Sequence, residues 1–62
     1  METVSTVKEY QSLINKVRET KIPIKVKVDM NDDELEKGRE ELDMDGIEVI
    51  MHEGYDEIKI LD

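Results

Sequence analysis

One twelve-residue stretch of the chain, DMNDDELEKGRE, carries oxygen-bearing side chains at the spacing of a calcium-binding loop. Its relative positions 1, 3, 5 and 12 are occupied by Asp29, Asn31, Asp33 and Glu40. An EF-hand loop takes ligands from these positions, but it also needs glycine at position 6 for its sharp turn. Position 6 here is Glu34, and the preceding segment alternates like a strand instead of forming an entering helix. We therefore predict that the stretch holds no metal ion.

The same stretch has the features of a capped acidic helix. Asn31 stands three residues before Glu34, which is the spacing of a capping box. Asp32 and Asp33 then fall in the first turn, where carboxylates meet the positive end of the helix dipole. We predict a helix from about Asp32 onward, closed by Gly46 as a left-handed cap or as a turn residue.

The apolar side of this predicted helix is narrow, because it consists only of Leu35, Gly38 and Leu42. Glycine inside a helix costs ~1 kcal/mol relative to alanine. We therefore interpret Gly38 as a point of close approach between this helix and the sheet.

Two other periodic segments precede the acidic helix. Apolar side chains recur at steps of three and four in Val4, Val7, Tyr10, Leu13, Ile14 and Val17. This spacing predicts an amphipathic helix over residues 4–19, with Thr3 or Ser5 as its N-cap. From Ile22 to Met30 the apolar residues fall at every second position instead, which predicts a half-buried strand.

The C-terminal residues predict a β-hairpin. Residues 47–53 and 57–61 alternate, and the intervening turn, residues 53–56, contains Gly54 for a positive φ. We expect the odd-numbered residues of the first of these strands and the even-numbered residues of the second, Ile58 and Ile60, to face the core. The element order is then α-β-α-β-β in one α+β domain over residues 1–62. A βαβ unit and the hairpin would form a three-stranded mixed sheet with both helices on one face. The third strand is expected either outside the second strand or between the first and the second.

The opposite face of the predicted sheet has no helix to cover it. Most of its side chains are charged, and the remaining ones form a candidate self-association patch of Ile50, His52, Tyr55 and Leu61. An apolar patch within a charged rim can mark an interface, but scattered exposed apolar residues are also common. The sequence supports both interpretations equally. Because a core this small gains stability from association, we predict a homodimer.

Charge divides the chain into two unlike parts. Residues 1–28 contain six Lys and Arg against three acids, a net +3, and residues 29–62 contain three against fourteen, a net −11, which together give −8. Such an acidic field disfavours direct nucleic-acid binding and favours a basic protein partner. The candidate partner-binding residues are Asp32, Asp33, Glu36, Glu40, Glu41 and Asp43. A solvated helix face that serves only solubility explains these acids at least as well.

Residues suited to catalysis are scarce. The chain has no cysteine, one histidine, His52, and two serines, Ser5 and Ser12. A catalytic imidazole needs a nucleophile or a water, and an orienting group, and only Glu48 lies near His52 on the predicted strand. We predict that the protein is not an enzyme and uses no cofactor.

No segment is apolar for long enough to span a bilayer, and the first ten residues lack the pattern of a signal peptide. We predict a cytoplasmic protein without membrane contact. Two functional hypotheses follow. The first is a small acidic interaction module that binds a basic, nucleic-acid-binding surface of a partner, by analogy with compact inhibitors from phages and mobile elements. The alternative is a homodimeric structural or regulatory module that associates through its open sheet face or through an edge strand.

Overall fold

The computed structural model describes residues 1–61 as two helices and a four-stranded mixed sheet. The elements in chain order are β1 (Glu2–Val4), α1 (Val7–Thr20), β2 (Ile24–Val28), α2 (Asp32–Glu41), β3 (Ile47–His52) and β4 (Tyr55–Ile60). The α+β class is confirmed, whereas the prediction of a three-stranded sheet is wrong. Strand β1 is parallel to β2, and the other neighbouring strands are antiparallel, in the order β1-β2-β4-β3.

The strand that the sequence analysis missed, β1, lies where the first helix was expected to begin. Val4 fits both the helical stripe of the sequence and a strand. In the structure Val4 pairs with Val28 of β2 and is only 2% exposed. The ladder continues through the Asp29 amide, which donates to the Val4 carbonyl at 2.7 Å. Pairing with a strand more than twenty residues away decides the conformation here, and local periodicity cannot report that pairing.

Helix α1 consequently begins at Val7, three residues later than predicted. Its N-cap is Thr6, whose hydroxyl oxygen accepts from the Glu9 amide at 3.2 Å. The predicted caps, Thr3 and Ser5, are wrong, because the first of them belongs to β1 and the second lies in the link to the helix. The helix itself and its buried face are as predicted.

The core lies between α1 and the helix-facing side of the sheet. Its buried apolar residues are Val4, Tyr10, Leu13, Ile14, Val17, Val26, Ile47 and Ile58. Except for Val4, which belongs to the unpredicted strand β1, these side chains come from the predicted faces of α1 and the strands. Full burial of an aliphatic side chain contributes about 1.5–3 kcal/mol. Within residues 1–61, no helix is both long and apolar enough to cross a membrane.

The predicted hairpin is confirmed, and its second strand lies in the middle of the sheet. β3 and β4 are joined by Glu53 and Gly54, and Gly54 has a φ of 87°. β4 also pairs with β2, so β4 lies between β2 and β3. The βαβ strands β2 and β3 are therefore parallel but not neighbours. This order leaves β1 and β3 as the edges of the sheet.

Helix α2 begins as predicted and ends earlier. The Asn31 side-chain oxygen accepts from the Glu34 amide at 2.8 Å, which confirms the cap. The helix ends at Glu41, and Leu42 has extended backbone and packs against the core. Gly46, with a φ of 75°, lies in the turn before β3, so of its two predicted roles the turn residue is confirmed and the helix cap is wrong.

The interior glycine of α2 marks a close contact with α1 instead of the predicted contact with the sheet. A Cβ atom at Gly38 would overlap the Val7 side chain. Gly38 is the only buried residue of α2. The two helices therefore approach closely at Gly38, where a side chain on α2 has no room.

Candidate interaction surfaces

Four carboxylates form what we call the acidic face of α2, namely Asp32, Asp33, Glu36 and Glu40. All four side chains are exposed. Asp32, Glu36 and Glu40 follow one another at i,i+4 and therefore line up along the helix over about 12 Å. Within residues 1–61, none of the four belongs to an ion pair. Within the described residues, no cationic side chain therefore pairs with this row of negative charge.

The two other predicted partner-binding acids lie elsewhere. Glu41 is exposed, but it borders the shallow groove between α2 and the start of α1, beside Val7 and Gly38. Asp43 is held by Arg18, whose guanidinium donates to the Asp43 carbonyl and lies 3.5 Å from its carboxylate. Arg18 also donates to the Asp45 carbonyl at 3.0 Å. Asp43 thus helps to fix the segment after α2, and the structure separates both acids from the acidic face.

A polar cluster of Asp56, Arg39 and Tyr10 between α2 and the sheet was not predicted from the sequence. Asp56 was assigned to a turn, but it lies on the core-facing side of β4 and is 8% exposed. Its carboxylate is 3.5 Å from the guanidinium of Arg39 on α2. The same guanidinium lies 3.9 Å from the sulfur of Met51 on β3. One basic residue of α2 therefore points inward and ties the helix to the hairpin.

Tyr10 completes this cluster from α1. Burial raises the pKa of the Tyr10 phenol, and the charge of Asp56 raises this pKa further, while Arg39 opposes the shift. Within residues 1–61, neither the Tyr10 hydroxyl nor Asp56 Oδ2 has a hydrogen-bond partner. The cluster joins α1, α2 and β4.

The alternation of β4 contains a signal for this cluster. Asp56 has the same parity as Ile58 and Ile60, which were correctly predicted to face the core. Extending the strand back to Tyr55 would have placed Asp56 inside and required a cation. Arg39, one turn from Leu35 on α2, is the cation that the structure supplies.

The open sheet face is the side of the sheet away from the helices, and it carries a small aromatic group near the hairpin turn. The rings of His52 and Tyr55 stack with centroids 4.7 Å apart, and Lys25 Nζ lies 5.7 Å from the Tyr55 centroid. His52 Nε2 is 3.1 Å from the Glu57 carboxylate. Ile50 lies opposite Glu57 and is half-buried. Each charged neighbour of this group thus contacts one of its rings, Glu57 the His52 ring and Lys25 the Tyr55 ring.

The fourth residue of the predicted self-association patch lies apart from the other three. Leu61 is 57% exposed and follows β4 at the far end of the hairpin. The Glu48–Lys59 ion pair, at 3.6 Å, stands between Leu61 and Ile50. The structure therefore brings Ile50, His52 and Tyr55 together but does not form one apolar patch with Leu61.

The edge of β3 presents unpaired backbone groups. The Leu61 amide donates to the Gly46 carbonyl at 2.9 Å, so Gly46 and Leu61 form a hydrogen-bonded pair. Along an antiparallel ladder, hydrogen-bonded and non-hydrogen-bonded pairs alternate. The even-numbered residues of β3 therefore form the backbone hydrogen bonds to β4. The Ile47 amide turns back to the Met44 carbonyl at 2.9 Å. The amides of Val49 and Met51 consequently point out of the sheet at its edge.

No family model, curated protein or solved structure matches this chain. Within residues 1–61, His, Asp and Glu side chains form no group of three or more that could hold a metal ion. In the stretch that resembles a calcium loop, Asn31 serves as the cap of α2 and Glu34 lies in the first helical turn.

Proposed function

We propose that the protein is a small, non-enzymatic interaction module whose acidic face of α2 binds a basic surface on a partner protein. The observation that carries the proposal is the row of Asp32, Glu36 and Glu40, which is exposed and has no intrachain ion pair within residues 1–61. Lysine and arginine side chains of a partner would supply the missing cations. This complementarity favours fast, oriented association.

The cost of this charge row to the helix supports the proposal. Like charges at i,i+4 destabilise a helix by about 0.2–0.5 kcal/mol per pair, and the row contains two such pairs. Helix α2 as a whole has six acids and two basic residues, a net −4. Of those two basic residues, Arg39 is directed inward to Asp56. A cation brought by a partner would relieve the repulsion that the chain leaves in place.

The minor contribution of α2 to the core also supports an outward role. Only Gly38 of its ten residues is buried, whereas α1 buries four side chains in the core. The hydrophobic stabilisation of the domain comes mainly from α1 and the sheet. Helix α2 serves chiefly to present its outer face.

The partner class that fits this charge is a protein with a nucleic-acid-binding surface, and binding there would inhibit it. Duplex DNA carries one negative charge per ~1.7 Å of its axis. The acidic face has three carboxylates in line over about 12 Å, so it would occupy only part of such a surface. We expect a moderate affinity with a steep salt dependence, in a cytoplasmic setting.

Affinity capture with matched variants tests the proposal. The variant Glu36→Gln/Glu40→Gln removes two charges from the acidic face. The control Glu19→Gln/Glu53→Gln removes two charges from exposed residues outside it, so both variants change the net charge from −8 to −6. Each protein is immobilised, exposed to lysate of the host cells, and its bound proteins are quantified by mass spectrometry.

We expect a basic protein that the wild type and the control retain equally and that the acidic-face variant loses. Its affinity for the wild type should fall by about tenfold in the variant, which corresponds to about 1.4 kcal/mol. Equal loss in the two variants would mean that only overall charge matters. Retention by all three proteins would contradict the proposal.

A further inference from the structure

We propose that two copies of the chain associate by pairing their β3 edges antiparallel, with the two-fold axis at Ile50, so that the two sheets become one eight-stranded sheet. This inference goes beyond the proposed function, because it uses the edge of the sheet and not the acidic face. It also differs from association through the open sheet face, because the contact is made by backbone groups.

The backbone of β3 fits this pairing without rearrangement. The outward amides are those of Val49 and Met51, as the ladder to β4 and the Ile47–Met44 bond require. With the axis at Ile50, Val49 lies opposite Met51 of the second copy, and Met51 lies opposite Val49 of the second copy. Each of these two pairs exchanges both of its N–H···O bonds, which gives about four new hydrogen bonds. Both free donors in the strand are then used.

Side-chain complementarity selects this alignment. On the open sheet face, Ile50 contacts Ile50 of the second copy at the axis. Glu48 of each copy lies opposite His52 of the other, which gives two such pairs. Shifting the axis to Val49 would instead place Glu48 opposite Ile50 and lose this match. Shifts that pair an odd residue with an even one are excluded, because they would turn the two sheets' faces in opposite directions.

The edge of β3 has few of the features that keep edge strands apart, because its one acidic side chain, Glu48, is paired with Lys59 inside the sheet. Edge strands are commonly protected by proline, lysine, a bulge or short length. The six residues of β3, Ile47–His52, contain no proline and no lysine. Met51 is 70% exposed beside this edge. The opposite edge, β1, has only three residues and offers little to pair with.

Sedimentation equilibrium and amide hydrogen exchange test the proposal together. We expect a 14.6 kDa species, twice the 7.3 kDa chain, to form as concentration rises. Under the same conditions the Val49 and Met51 amides should become protected by at least about tenfold, whereas the Glu48 and Ile50 amides are protected at every concentration. Added NaCl should strengthen the dimer, because it screens the repulsion between two chains of charge −8.

Three lysine substitutions at exposed apolar positions locate the contact. Met51→Lys places a charge beside the paired edge and should weaken the dimer by about tenfold. Ile22→Lys is the matched control, since Ile22 is 63% exposed and lies outside β3. Leu61→Lys marks the open sheet face. Neither Ile22→Lys nor Leu61→Lys should change the dissociation constant of the dimer by more than about twofold.

Cysteine scanning tests the alignment, since the chain has no cysteine of its own. Ile50→Cys should form a disulfide-linked dimer on mild oxidation, because a non-bonded antiparallel pair has its Cα atoms about 4.5 Å apart. Glu48→Cys should not, because its counterpart would be four residues out of register, about 13 Å away. A single 7.3 kDa species at about 1 mM would overturn the proposal. A dimer that leaves the Val49 and Met51 amides unprotected, or that is disrupted only by Leu61→Lys, would also overturn it.

Discussion

At the scale of single residues, the Asp56 carboxylate is the group whose surroundings most constrain the fold. It is nearly buried, it faces the Arg39 guanidinium at 3.5 Å, and the Tyr10 hydroxyl shares its site. A charge in this position requires a partner, because an unpaired buried carboxylate is costly. The cluster therefore couples the docking of α2 to the hairpin.

Breaking the Arg39–Asp56 pair should destabilise the domain. Arg39→Gln leaves the Asp56 carboxylate without its cation, and we expect a loss of about 2 kcal/mol in the free energy of unfolding. This loss is below the 3–5 kcal/mol typical of fully buried pairs, because about one third of the Arg39 side chain is exposed. Adding Asp56→Asn should recover part of it. Urea unfolding of both variants is the measurement, and a double variant no more stable than Arg39→Gln would show that the pair is not the cause.

The Tyr10 phenol should make the domain sensitive to alkali. The pKa of Tyr10 is raised in the folded chain above its ordinary value of 10.0, so the folded state holds this proton more tightly than the unfolded state. The stabilisation is complete below about pH 10 and is lost as the pH rises through the folded pKa. Unfolding measured from about pH 8 to 11 should show this fall.

Tyr10→Phe is the control for this pH dependence. It should remove the component of the alkaline fall that belongs to Tyr10, since the other titrating groups are unchanged. At neutral pH it should leave stability within about 1 kcal/mol of the wild type or raise it, because the buried hydroxyl has no hydrogen-bond partner within residues 1–61. Identical pH profiles for the two proteins would contradict the assignment.

At the scale of elements, α2 is the helix whose packing depends on one small residue. Gly38→Ala in an exposed helix would add about 1 kcal/mol of stability. Here the new methyl group would overlap Val7, a β-branched residue with restricted rotamers. We expect a net loss of about 1–2 kcal/mol, measured by urea unfolding. The double variant Val7→Ala/Gly38→Ala should be more stable than Gly38→Ala alone, and the opposite order would contradict this packing account.

The elements that the sequence predicted share one property, which is that local pattern determines them. The face of α1, the cap at Asn31 and the turn at Gly54 follow from spacing and residue type alone. The elements that it missed depend on distant groups. Strand β1 exists because β2 offers it a ladder, and α2 stops before Gly46 because Leu42 packs on the core while Arg18 binds the carbonyls of Asp43 and Asp45.

The same limit applies to the candidate sites. Exposure of the acidic face could be predicted from the apolar stripe of α2, because the acids lie away from Leu35 and Leu42. The separation of Asp43 from that face depends on Arg18, which is 25 residues away in the chain. The free edge of β3 depends on β4 lying between β2 and β3, and the sequence left that order open.

At the scale of the whole molecule, the two proposed surfaces should respond to salt in opposite ways. The acidic face attracts a basic partner, so added salt should weaken that complex. The β3 edge joins two chains that repel each other through their net charge of −8, so added salt should strengthen the dimer. Varying the salt concentration therefore distinguishes the two interactions, and either proposal can be rejected without the other.

Mapping a captured basic partner onto the protein by NMR tests the central claim most directly. A titration of the isotope-labelled chain with that partner should shift the amide signals of residues 32–41, and these shifts should be lost in Glu36→Gln/Glu40→Gln but kept in Glu19→Gln/Glu53→Gln. Shifts confined to the open sheet face, around Lys25, Ile50 and Tyr55, with α2 unaffected, would contradict the claim that the acidic face is the binding surface.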